Sequence, residues 1–154
     1  MNFTTIALSA QDFQQHIKTN KVTYSYVQTP AGLLCLANTE MGVFEVAFVS
    51  SGPNGSNVTG VPATALIVQG TKFQVQVWQA TLKISAGKTM TYQELACALG
   101  RPKAYRAVAN ALGKNKLAYL IPCHRVIRKN GDLGGFAWGI EVKKALLEFE
   151  QKQN

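Results

Sequence analysis

The chain is short of acidic residues, histidine and cysteine. Its 154 residues hold eight Asp and Glu against sixteen Lys and Arg, a formal net charge of +8. A surplus of that size suits a polyanionic partner, although many basic proteins never meet one. His16 and His124 are the only histidines, and no C-x-x-C occurs, so a metal site would need ligands gathered from distant places. Neither a metal nor a cofactor is expected. The three cysteines, Cys35, Cys97 and Cys123, are far apart and odd in number, which argues against a disulfide framework. No apolar run approaches the roughly 18 residues of a membrane span, so no membrane contact is expected. "MNFTTIALSAQDF" has neither a basic start nor a long apolar stretch, so an intracellular protein is expected, cytoplasmic or, in a eukaryote, nuclear. Internal repeats are absent too.

The charge is unevenly placed. Residues 1–70 hold two lysines against three acids, and residues 71–154 hold fourteen basic residues against five acids. The change coincides with "SSGPNGSNVTG" (50–60), whose Gly, Ser and Asn content reads as a loop or linker. Two domains are expected: residues 1–70 with the linker, and residues 71–154.

The first half reads as strands. "VTYSYVQ" (22–28), "GLLCLAN" (32–38) and "GVFEVAFV" (42–49) are rich in β-branched and aromatic residues, and "TPAG" and "TEMG" suit hairpins between them. "AQDFQQHIK" (10–18) reads as a short helix. The second half reads as helices. "KFQVQVWQATLKI" (72–84) spaces Phe73, Val77, Trp78 and Leu82 helically, with Gly87 as its end. Thr91 and Glu94 form a capping box that predicts a helix over 92–99. "KAYRAVANAL" (103–112) follows after Gly100 and Pro102, making a helix-turn-helix. Asn130-Gly131 signals a type I′ hairpin. "GIEVKKALLEFE" (139–150) closes the chain with Ile140, Ala145, Leu146 and Phe149 available for a core. The fold class is α+β: a small antiparallel sheet domain, then a mostly helical domain containing the helix-turn-helix.

Two features bear on chemistry. The second helix of the pair is built on Ala104, Ala107, Ala109 and Ala111, and its long polar side chains are few: Lys103, Arg106 and Asn110. Small residues let a backbone approach a narrow groove closely; they equally suit a buried packing helix. Cys123 lies between Pro122 and His124, with Arg125 following. Cationic neighbours promote the reactive thiolate, whereas most free cysteines are simply buried. On an extended segment Cys123 and His124 point apart, so a water is the plausible link between them. Cys35 and Cys97 are read as buried core residues.

"IPCHRV" at 121–126, with the surrounding run that fills nearly all of residues 73–150, resembles the active-site region of the O6-alkylguanine-DNA alkyltransferases, or methylated-DNA–protein-cysteine methyltransferases. The first 70 residues are merely compatible with that family's sheet domain. The resemblance implies single-use transfer of an alkyl group, methyl above all, from O6 of guanine in double-stranded DNA, with O4-alkylthymine a further candidate. Cys123 is then the acceptor, His124 the water-linked base and Glu150 its orienting carboxylate. Asn115 braces the loop, and Tyr92 assists extrusion of the base and hydrogen-bonds it. Arg106 fills the gap left by the flipped nucleotide. Lys103, Ala104, Ala107, Ala109 and Asn110 belong to the helix-turn-helix presented to the minor groove. Carbonyls of Cys123 and Val126 and the N–H of Ala137 face the guanine, and Phe136 and Trp138 shape the lid. A monomer is expected. Phe136 departs from the tyrosine of many members and Trp138 from the glycine of some, so benzyl adducts are expected to react more slowly than methyl. The competing expectation is a binder of alkylated DNA, or a regulator, without chemistry.

Overall fold

The computed structural model describes residues 2–52, 60–61 and 65–154. The chain divides into two compact units, Met1–Thr71 and Lys72–Asn154. Most of the stretch read as a linker, residues 53–59, lies outside the described residues.

The first unit is a five-stranded sheet with a helix. Strands β2 (Thr23–Thr29), β3 (Gly32–Thr39) and β4 (Gly42–Val49) form the expected antiparallel meander. Two further strands, β1 (Thr4–Ala7) and β5 (Ala65–Val68), extend it in the order β1-β5-β4-β3-β2, and both of their pairings are parallel. Their brevity, four residues each, is why alternation did not reveal them. Helix α1 (Ala10–Thr19) begins at Ser9, whose side chain accepts from the Asp12 N–H. It meets the sheet through Phe13 on Phe44, edge to face at 5.4 Å, and through His16 on the Thr39 hydroxyl at 2.9 Å. Leu34, Leu36, Val43, Val46 and Leu66 fill the interior. The α+β class expected from the sequence is borne out.

The second unit carries α2 (Lys72–Thr81), α3 (Tyr92–Ala98), α4 (Tyr105–Gly113) and α5 (Ile140–Lys152). α2 is shorter than its periodicity predicted. Its last turn tightens, with the Lys83 and Ile84 amides bonding three residues back, to Ala80 and Thr81. The capping box is present in full: Thr91 Oγ1 accepts from the Glu94 N–H, and Glu94 accepts from the Thr91 N–H. α3 ends in a Schellman motif. Gly100, at φ +71°, allows the Arg101 N–H to reach the Ala96 carbonyl while its own N–H reaches Cys97. α4 follows, and its buried face of Val108, Ala111 and Leu112 packs with Val77, Leu95 and Ala96. The Trp78 indole donates to the Ala111 carbonyl at 2.9 Å, locking α2 to α4.

Three local expectations need correction. The Asn-Gly turn is not type I′: Gly131 has φ +87°, but Asn130 is not in the left-handed region. The bonds from Gly131 N–H to Arg128 and from Arg128 N–H to Asp132 describe a three-residue loop with a bulge instead. In α5, Ile140 and Phe149 are exposed, while Lys143, Leu146 and Leu147 form the buried face. Cys97 is exposed and Cys35 only partly covered; Cys123 is the buried cysteine.

Candidate active site

Two short strands bring the site together. β6 (Met90–Thr91) pairs in parallel with β7 (Val126–Ile127), setting the start of α3 beside the segment that follows Cys123. Cys123 opens a 3-10 turn, Cys123–Arg125, rather than the extended segment expected. The turn is closed by backbone bonds, from the Arg125 N–H to the Pro122 carbonyl at 3.0 Å and from the Val126 N–H to the Cys123 carbonyl.

Asn115 holds the thiol. Its Nδ2 lies 3.4 Å from Cys123 Sγ and 3.2 Å from the Ile121 carbonyl, and its Oδ1 accepts from the Leu117 N–H at 2.8 Å. All three bonds fix the loop before the turn. Burial pushes the Cys123 thiol above its ordinary value, opposed by the Asn115 hydrogen bond and the charge of Lys143. At rest the sulfur is therefore a protonated thiol.

His124 is fully buried. Its Nε2 lies 2.9 Å from Glu150 Oε1. A carboxylate only accepts, so Nε2 carries the proton and Nδ1 is left with a basic lone pair. That Nδ1 is buried without a hydrogen-bond partner among the described residues. Burial holds the imidazole below its ordinary pKa, with Glu150 pulling it partly back, so it is neutral near pH 7.

Glu150 is shared. Arg125 Nε reaches its Oε2 at 3.0 Å, and an Arg125 terminal nitrogen reaches Oε1 at 2.7 Å. The other terminal nitrogen donates to the Ile84 carbonyl at 2.6 Å. Burial alone would raise the Glu150 carboxyl; its bonds and charge contacts with His124 and Arg125 override this and bring it from 4.5 to about 2. With His124 neutral, Arg125 is the cation that keeps the carboxylate ionised.

A stability prediction follows from this depressed value. The contribution is fully present above the ordinary carboxyl pKa and is lost as pH falls through the folded value. Chemical denaturation should therefore show about 3 kcal/mol disappearing between about pH 4.5 and 2. Glu150→Gln should flatten that part of the curve.

Lys143 was missed by sequence reasoning. It is fully buried and donates to the Val126 carbonyl at 2.6 Å, with Gly135 O at 3.5 Å. Burial lowers it to about 8, while the nearby Cys123 sulfur raises it. Val126, whose carbonyl was expected to face guanine, thus already gives one lone pair to Lys143 and retains another. The signal was available: Lys143 shares the inward stripe with Leu146, Leu147 and Glu150. Arg125 was likewise passed over as the charge after His124.

Tyr92 stands at the first turn of α3, half-buried, its ring 6.0 Å from the Lys143 ammonium. Gly134, at φ +72°, lies against it; a Cβ there would meet the Tyr92 hydroxyl at 2.8 Å. Phe136 and Trp138 meet edge to face at 5.8 Å and pack against the cluster that contains Cys123, while Ala137 between them is exposed. On the helix-turn-helix, α4 starts later than predicted. Lys103 precedes it and Ala104 is its N-cap residue, without a side-chain bond. Lys103, Arg106, Ala107 and Asn110 are exposed, whereas Ala104 and Ala109 are half-buried. The structure thus brings Cys123, His124, Asn115 and Glu150 together and leaves Arg106 and Asn110 on an outer helix face.

The family model described as the DNA-binding domain of 6-O-methylguanine DNA methyltransferase matches residues 72–152. The chain belongs to this family.

The methyltransferase resemblance extends beyond the matched domain. A methylated-DNA–protein-cysteine methyltransferase of Methanosarcina barkeri is 33% identical, over 83% of this chain and 96% of its own length. The regulatory protein ada of Salmonella typhimurium is 53% identical over 57% of this chain. This chain spans 24 to 58% of the length of four curated relatives, ada among them, that are 53 to 56% identical to it. Among solved structures, that of Mycobacterium tuberculosis OGT in complex with DNA superposes with a TM-score of 0.71 at 32% identity, covering 84% of this chain and 93% of that one.

Proposed function

We propose that this methyltransferase-family protein repairs DNA by moving an alkyl group from O6 of guanine onto Cys123, once per molecule. The observation that carries the reading is the grouping around one sulfur. Asn115 touches it, and the next residue is an imidazole fixed by Glu150 with its other nitrogen unpartnered. An orphaned buried acceptor costs about 1–3 kcal/mol, so a bridging water at Nδ1 would be strongly favoured. The thiol proton passes through that water to Nδ1, and the Glu150 carboxylate, itself held ionised by Arg125, stabilises the imidazolium that forms. The thiolate attacks the alkyl carbon, an S–C bond forms and the C–O6 bond breaks. The electron pair leaves on the guanine, which takes up one proton. The Tyr92 hydroxyl helps the base accept that charge. A thioether resists water, so the protein is consumed.

The substrate is an extruded nucleotide in double-stranded DNA, which implies an intracellular protein. The Mycobacterium tuberculosis relative was crystallised with DNA. We assign residues 71–154 as the catalytic DNA-binding domain and residues 1–70 as the sheet domain with its linker, acting as a monomer. The exposed face of α4, with Ala107 between Arg106 and Asn110, suits close approach to the minor groove. Arg106 supports the gap, and Lys103 approaches phosphate. The Val126 carbonyl's second lone pair, the Cys123 carbonyl and the Ala137 N–H hold the base under Phe136 and Trp138.

The test is mass spectrometry after incubation with an oligonucleotide carrying O6-methylguanine. One methyl per protein is expected, on the peptide containing Cys123; a methyl elsewhere, or none, rejects the reading. Binding should also weaken with salt, with a slope of about 0.9 per phosphate contacted. Lys103→Ala should reduce that slope by about one unit in a fluorescence titration.

A further inference from the structure

Tyr119 sits in the loop leading to the cysteine turn, and it has φ +77°, the only positive φ on a non-glycine among the described residues. An aromatic residue is strained there, and glycine would be free of strain. The ring that this backbone carries lies nearly parallel to the His124 imidazole, at 15° with centroids 6.4 Å apart. Burial and the Glu150 carboxylate push the phenol above its ordinary value, against Arg125, so it stays neutral.

We propose that Tyr119 is a positioning residue for alkyl transfer. Its ring fixes the plane of the His124 imidazole and keeps water from that face, so that Nε2 stays on Glu150 and Nδ1 stays free to receive the thiol proton. This rests on the alkyltransferase reading. The charged and titratable groups facing His124 are Glu150 and Lys143 from α5 and Arg125 and Cys123 from its own turn. None of them sets a ring parallel to the imidazole as Tyr119 does.

The ring has two opposing effects on imidazole protonation. Its π-face favours the cation weakly at this distance, by about half a pH unit at most. Excluding water disfavours the cation, and burial shifts can reach about 3–5 units. Desolvation wins, so removing the ring should make His124 easier to protonate.

The variants are Tyr119→Gly, whose backbone suits φ +77°, and Tyr119→Phe, which keeps the ring. NMR titration of His124 should show its midpoint rising by about one unit or more in Y119G and staying in place in Y119F. Single-turnover methyl transfer near neutral pH should fall about 10-fold in Y119G, while affinity for undamaged duplex is unchanged and Y119F transfers at the original rate. Should circular dichroism show that Y119G is unfolded, Tyr119→Asn serves, since asparagine tolerates the left-handed region. An unmoved His124 midpoint in the ringless variant, or a Y119F that behaves like it, overturns the proposal. If the unaltered protein transfers no methyl, the alkyltransferase reading fails, and the His124 titration alone decides what Tyr119 does.

Discussion

Cys123→Ala is expected to lose methyl transfer completely while still binding duplex DNA with nearly unchanged affinity. The two properties separate because they sit on different surfaces. Sγ is buried against Asn115, whereas the exposed residues of α4 face outward. Alanine keeps the turn, since the bonds that form it run through the backbone: Cys123 N–H to Ile121, and Arg125 N–H to Pro122. Removing one buried sulfur should destabilise by about 1 kcal/mol, well within the margin of a folded domain. Neither His124 nor Cys97 can substitute. His124 has one nitrogen on Glu150 and lies buried, and Cys97 is an exposed residue of α3. Single-turnover assay and intact-protein mass measure the loss, and filter binding measures the retention. A variant that still acquired a methyl would remove the chemical reading; one identical to the original in every assay would favour the non-catalytic binder.

Glu150→Gln is expected to slow transfer by about 100- to 1,000-fold, the usual worth of an oriented base. Gln keeps the shape and one acceptor oxygen but removes the charge. The imidazolium that forms as the thiol ionises would then face Arg125 and Lys143 without a counter-charge. Arg125 would lose its ionic partner while retaining its bond to Ile84. Breaking a buried pair typically costs about 3–5 kcal/mol. Here both side chains keep some exposure, 16% for Arg125 and 11% for Glu150, so the lower end applies. Rapid-quench single turnover and thermal melting would check both effects. A rate within about threefold of the original would mean that the carboxylate only holds the fold together.

Much of the architecture was legible from local patterns. The meander strands, α1, the Thr91 capping box and the break at Gly100 each rest on interactions within a few residues, so sequence alone reaches them. β1 and β5 were not legible. Each is four residues long, and their parallel pairing is settled only by the sheet they join. The Asn-Gly turn misled because a favoured dipeptide admits more than one loop length, and the bonds around Arg128 and Asp132 choose between them. Ile140 and Phe149 misled because a helix with apolar residues on more than one face cannot announce which face turns inward.

For the site, the sequence by itself determined which atoms are available: a thiol, an imidazole beside it, a surplus of positive charge in the second half, and a motif shared with one family. Only the tertiary structure decided what those atoms are. It carried Glu150 from the far end of α5 to His124, added Arg125 to the same carboxylate, sank Lys143 onto the Val126 carbonyl and set the Tyr119 ring nearly parallel to the imidazole. The physical reason is that protonation depends on burial and on charges a few ångströms away, and both come from chain segments remote in sequence.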